Sequence, residues 1–112
     1  MRQLLDGIAR RSLTVFAQFD HAAGARGVGM DLAPETVVVF GSPRAGTPLM
    51  QTDPRIGIEL PLRIVLWNTE DVTMIGYSDP RELTGVYDVG QHAQTLEAMA
   101  ALLGDLAQEA AA

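Results

Sequence analysis

The chain has neither cysteine nor lysine among its 112 residues. Without thiols it can form no disulfide, no thiolate nucleophile, no thiolate zinc site and no cysteine-ligated iron–sulfur cluster. All eight basic residues are arginines, which removes Schiff-base chemistry, pyridoxal phosphate attachment and a Walker-type phosphate loop. No apolar run reaches the roughly 18 residues of a membrane span. The first dozen residues are amphipathic and charged rather than patterned as a secretory signal, so the cytoplasm is the expected compartment. Positive charge is also scarce. The net charge is −6 and the arginines are scattered, leaving no basic stripe for phosphates, so neither nucleic acid nor membrane is expected as a partner.

With 47% apolar and 20% charged residues, the composition is that of one folded domain spanning residues 1–112. Leu4, Leu5 and Ile8 give a short helix over Arg2–Arg11, and alternation from Ser12 to Phe19 gives a strand. Asp20 stands as an N-cap before an alanine-rich helix from His21 to about Met30. The β-branched and aromatic run Thr36–Phe40 reads as a strand buried on both faces, with Val38 and Val39 central.

A segment punctuated by Pro43, Pro48, Pro54 and Pro61 follows, with one helical turn around Gly46–Gln51 and apolar anchors at Leu49, Met50, Ile56, Ile58 and Leu60. Leu62–Trp67 and Val72–Tyr77 form a hairpin about Asn68–Asp71. Ser78 and Asp79 before Pro80 cap a short helix. Leu96, Met99, Leu103, Leu106 and Ala110 recur at spacings of three and four, giving an amphipathic helix from about Gly90 to Ala110.

The expected fold is a two-layer α/β (α+β) sandwich. A four-stranded mixed sheet carries helices on one face, and a long helix ends the chain. A helix-containing connection of about sixteen residues suits a parallel crossover between the first two strands. Their carboxyl ends would then share one rim, bringing His21 together with the Gly41–Thr47 loop, and Tyr77 and Asp79 would join them if the fourth strand ran the same way. Phe16, Val65, Trp67, Ile75 and Tyr77 alternate away from the core and exceed what a monomer usually leaves exposed. A homodimer interface is one cover for them, and the N-terminal helix is the other.

The blocks FDHAAGA, FGSPRAGTPLM, LPLRIVLW and YSDP resemble the bacterial and archaeal family called domain of unknown function 302, over about Leu13–Tyr87. The resemblance implies a small α/β domain, sometimes in tandem, with dimeric members and no assigned activity.

Two functions are compatible with these residues. In the first, the chain is a homodimeric binding module for a protein partner or a small anionic or polar ligand. Glycine-rich backbone, the hydroxyls of Ser42 and Thr47, and the Arg44 guanidinium would cradle the anion, with His21, Tyr77 and Asp79 nearby. Arg44 paired with an acidic residue would make the same loop purely structural. In the second, the chain is a small enzyme using His21, Arg44 and Asp79. His92, on the core side of the last helix, reads as structural. No cofactor, catalytic triad or metal motif is indicated.

Overall fold

Where the side-chain pattern alternates, the backbone forms strands, and where apolar residues recur every three or four positions it forms helices. The structure, a computed structural model, describes residues 1–111. In chain order the elements are α1 (Arg2–Arg10), β1 (Thr14–Asp20), α2 (His21–Gly27), β2 (Glu35–Gly41), α3 (Pro43–Thr52), β3 (Leu62–Thr69), β4 (Val72–Gly76) and α4 (Ala93–Ala111). Tight helical turns occupy Pro54–Ile58, Pro80–Gly85 and Gly90–His92. The hairpin turn is tighter than the sequence suggests: β3 and β4 are joined by Glu70 and Asp71 alone, both with positive φ.

The two-layer arrangement and the long terminal helix are as expected, but the sheet is antiparallel throughout, in the order β1-β2-β3-β4, and not mixed. The reason lies in the connection between β1 and β2. Its helix, α2, has seven residues and spans about 10 Å. A parallel crossover would have to return the whole length of a seven-residue strand, which is over 20 Å. The chain instead turns back at the end it has just reached. Asp20 therefore faces Thr36 at one end of the sheet, and Thr14 faces Gly41 at the other. Near that second end Val15 opposes Phe40 and Ala17 opposes Val39, so Phe16 is the extra residue of a β-bulge.

One face of the sheet is the core. Val38, Phe40, Ile64 and Leu66 pack against Leu4 and Ile8 of α1 and Leu103 and Leu106 of α4. Gly7 permits the closest approach of the two helices: a Cβ there would lie 3.0 Å from the Leu106 side chain. Arg11 forks onto Glu109 through both carboxylate oxygens, and Arg10 adds a 2.8 Å bond, fixing the same junction. A second cluster joins Leu49 of α3 with Ile56, Val89, Leu96 and Met99. Of the anticipated anchors in the proline-rich segment, Leu49 and Ile56 are fully buried, whereas Ile58 is 77% exposed.

The other face of the sheet carries a second set of side chains and is bordered at the Asp20 end by His21 of α2. Phe19, Val37, Val65 and Gly76 share one row, and Glu35, Trp67 and Met74 share the next. The Trp67 ring lies across Gly76, where a Cβ would come within 3.1 Å of it.

Candidate functional site

The segment Gly41–Thr47 is not a loop that presents its backbone to an anion; most of it is the start of a ten-residue helix, α3. Ser42 caps it by accepting from the Arg44 N–H at 3.3 Å, Pro43 occupies the first turn, and the Ala45 and Gly46 N–H groups both donate to the Ser42 carbonyl. The donors that would have cradled an anion are thus engaged within the turn. Pro48 sits inside the helix. Its missing N–H costs one intrahelical bond without ending the element. The Arg44 guanidinium is exposed and makes no hydrogen bond or ion pair among the described residues, so it is not the structural half of a buried pair.

Behind this helix start lies a half-open cavity of about 330 Å³. Its walls are almost wholly apolar. Leu13 and Phe16 come from the β1 end, Ala45 and Met50 from α3, Leu60 to Leu62 from the approach to β3, and Met99 and Leu102 from α4. Ser42 and Thr47 supply the hydroxyls in its lining, and no charged side chain lines it. Gly46 keeps the space open: a Cβ there would meet Leu60 at 3.5 Å and Met50 at 3.8 Å, ordinary contact distances.

The antiparallel sheet separates residues that a parallel crossover would have gathered. His21 starts α2 at the Asp20 end of the sheet, and Arg44 and Thr47 lie beyond Gly41 at the other. Asp20 caps α2 as expected, accepting from the Ala23 N–H at 2.9 Å. His21 borders a shallow concavity on the open sheet face with Phe19, Arg63, Trp67, Tyr77 and Ser78. Asp79 is held by Arg81, which donates from its backbone N–H, Nε and Nη2. These bonds, the side-chain ones first, lower the Asp79 carboxyl below its ordinary value. His21, Arg44 and Asp79 therefore form no common site, and the enzyme arrangement built on them has no geometric basis.

The five candidate interface residues divide in the same way. Val65 and Trp67 face the open side of the sheet. Ile75 packs with the helix-covered core and the bulge turns Phe16 to the cavity, whereas Tyr77 borders the open-face concavity while its hydroxyl lies 3.5 Å from where a Gly104 Cβ would be on α4. His92 is structural as expected, its Nε2 lying 2.7 Å from the Thr52 hydroxyl.

The family model described as "Domain of unknown function DUF302" matches residues 1–108. The chain belongs to the DUF302 family. It is similar in fold to the crystal structure of an uncharacterised conserved DUF302 protein from Bacillus stearothermophilus. That likeness has a TM-score of 0.86 and 17% identity, over 96% of this chain and 85% of that one. It is also 44% identical over 55 residues to the fluoride-specific ion channel FluC 1 of Brucella suis, a stretch covering 49% of this chain and 22% of that relative. The matches to FluC 1 of Brucella abortus and FluC 2 of Brucella melitensis have the same identity and cover 20% of each relative. The chain thus spans about a fifth of the length of these curated relatives. No helix among the described residues of the DUF302 chain is long and apolar enough to cross a membrane.

Sequence reasoning also missed a polar knot between the turn that follows α3 and the segment before α4. Asp53, nearly buried, accepts from the Arg55 backbone N–H, from Arg55 Nε and Nη2, and from the Asp88 N–H at 2.9 Å. These bonds, those from the Arg55 side chain first, hold its carboxyl well below the ordinary carboxylate range. Arg55 in turn lies over the Tyr87 ring at 5.8 Å, and the Tyr87 hydroxyl donates to Glu59 at 2.8 Å, raising the phenol above its usual value. Asp53 before Pro54 is the cap signature seen again at Asp79-Pro80, and that was the available signal. Its long-range bond to Asp88 has none in the sequence. Both carboxylate oxygens of Asp53 accept from donors of this chain, so in the DUF302 chain the knot is a staple between α3 and the segment before α4.

Proposed function

We propose that the protein is a homodimeric binding module whose ligand is a small, uncharged, largely apolar molecule held in the cavity behind α3. The observation that carries this reading is the composition of the walls: about 330 Å³ of space lined by apolar side chains, with two hydroxyls and no charge. Cavities of this size and character are typical small-molecule sites. The hydroxyls of Ser42 and Thr47 suit a ligand carrying a single hydrogen-bond acceptor. An anion gains nothing from such walls, because burying a charge without partners costs far more than apolar contact returns.

That argument applies to fluoride, the ion in the names of the Brucella relatives. The segment they share with this chain is read as an accessory module of those proteins and not as their conduit. The lack of any membrane-crossing helix among the described residues supports this. Homodimerisation is supported by the apolar side chains that Val37, Val39, Val65 and Trp67 turn to the open sheet face. Phe19 there is 53% exposed and Met74 40%.

The test is a fluorescence titration with the neutral dye prodan. Wild type is expected to bind it with saturable kinetics and a blue-shifted emission. Gly46→Leu, which fills the cavity while improving the helix propensity of α3, should weaken binding by at least about tenfold without lowering the melting temperature. Equal binding by both proteins would place the dye elsewhere and overturn the reading.

A further inference from the structure

Sulfur oxidation in this chain falls on methionine alone, because there is no cysteine to react first. Of the five methionines two line the cavity, Met50 from α3 and Met99 from α4. They differ in access. Met99 is 6% exposed and shielded from a soluble oxidant, whereas Met50 is 37% exposed. Met1, Met30 and Met74 are more exposed still, but none of them belongs to the cavity. Met50 is therefore the one thioether that both forms a wall of the site and meets solvent.

The neighbours of Met50 leave its sulfur uncovered. The side chain runs against two glycines, with its Sδ 3.4 Å from where a Gly57 Cβ would be and its methyl 3.8 Å from where a Gly46 Cβ would be. Neither glycine has a side chain to screen the thioether, and Gly57 is itself only half-buried.

We propose that Met50 is an oxidative modification site that gates the cavity: a peroxide converts its thioether to the sulfoxide, and the altered wall releases the apolar ligand. The proposal rests on the cavity being the ligand site. In the step a sulfur lone pair attacks one oxygen of hydrogen peroxide, so that an S–O bond forms as the O–O bond breaks. The departing hydroxide takes the proton from the transferred oxygen and leaves as water. Sulfur is oxidised by two electrons and the peroxide is reduced by two.

The product is polar where the thioether was not. Turned inward, the sulfoxide oxygen meets apolar walls and competes with the ligand's own acceptor for the Ser42 and Thr47 hydroxyls. Turned outward, it draws the Met50 side chain off the wall and the ligand loses that contact. Affinity falls in both cases. Methionine sulfoxide reductases return the thioether, so the change is reversible.

The test compares wild type with Met50→Leu, which keeps the wall apolar and of similar volume but has no sulfur. Both proteins are treated with hydrogen peroxide, the modified residues are mapped by peptide mass spectrometry, and prodan is titrated before and after. Met50 is expected to gain one oxygen while Met99 gains none, and the affinity of wild type should fall by at least about tenfold. Met50→Leu should keep its affinity after the same treatment, although Met1, Met30 and Met74 are oxidised in both proteins. An undiminished affinity in oxidised wild type, an equal loss in Met50→Leu, or a Met50 left unmodified when Met30 is fully oxidised would each overturn the proposal and leave the ligand reading in place. If untreated wild type binds no prodan, the ligand reading fails and the gate fails with it.

Discussion

A chain ending at Asp88 should show no cooperative unfolding transition. The deleted helix, α4, contributes Leu96, Met99, Leu103 and Leu106, each at most 6% exposed. Burial of a large apolar side chain stabilises by about 1.5 to 3 kcal/mol. Four such residues together rival the roughly 5 to 15 kcal/mol net stability of a whole domain. The loss is also distributed so that neither core survives it, because Leu103 and Leu106 belong to the cluster under the sheet and Leu96 and Met99 to the cluster around α3. The junction with α1 would go too, leaving Arg10 and Arg11 without Glu109 and exposing Leu4 and Ile8. Differential scanning calorimetry decides the matter, and a truncated chain melting cooperatively within a few degrees of the parent would refute this account of the core.

The second large effect is expected at Asp53. Replacing it by alanine removes the cap of the Pro54–Ile58 turn and the partner of Arg55, and leaves the Asp88 N–H without its acceptor. The melting temperature at neutral pH should fall by on the order of 10 °C. The sign of the pH dependence follows from the lowered carboxyl. A group whose folded-state value is depressed stabilises fully above its unfolded value and loses that contribution as pH falls through the folded one. The gap between wild type and Asp53→Ala should therefore be constant above about pH 4, the unfolded carboxylate value, and narrow progressively below it. Glu109, lowered mainly by its hydrogen bond to Arg11, works in the same direction but is one-third exposed and screened, so its share is smaller. Thermal melts of both proteins from pH 2 to pH 7 provide the check, and a gap that did not depend on pH would show that Asp53 acts without its charge.

Periodicity made α4 readable to within a few residues, because a stripe at spacings of three and four has one physical solution. The same holds for β2 and β3, whose β-branched runs admit little else, and for Asp20 as a cap. Strand direction was not legible. Sixteen residues containing a helix suffice for a crossover in length alone, and only the shortness of α2 makes the chain turn back. That single difference moved His21 away from Arg44 and dissolved the anticipated rim. The Gly41–Thr47 segment misled for a related reason: proline and glycine read as loop, yet Ser42-Pro43 is also a cap followed by a first-turn proline, and a ten-residue helix results. The cavity could not have been read from the chain at all, since Leu13, Met50, Pro61 and Met99 are distant in sequence and meet only in the fold.

The ligand reading is tested most directly by methionine-methyl NMR. Of the five methionines, Met50 and Met99 line the cavity, whereas Met1, Met30 and Met74 do not. Titrating prodan into methyl-labelled protein is expected to shift the Met50 and Met99 methyl signals together along one saturation curve. The other three should hold their positions. Shifts at Met30 or Met74 with Met50 and Met99 unmoved would place the dye on the connection between α2 and β2 or on the open sheet face, and would contradict the assignment of the cavity as the binding site.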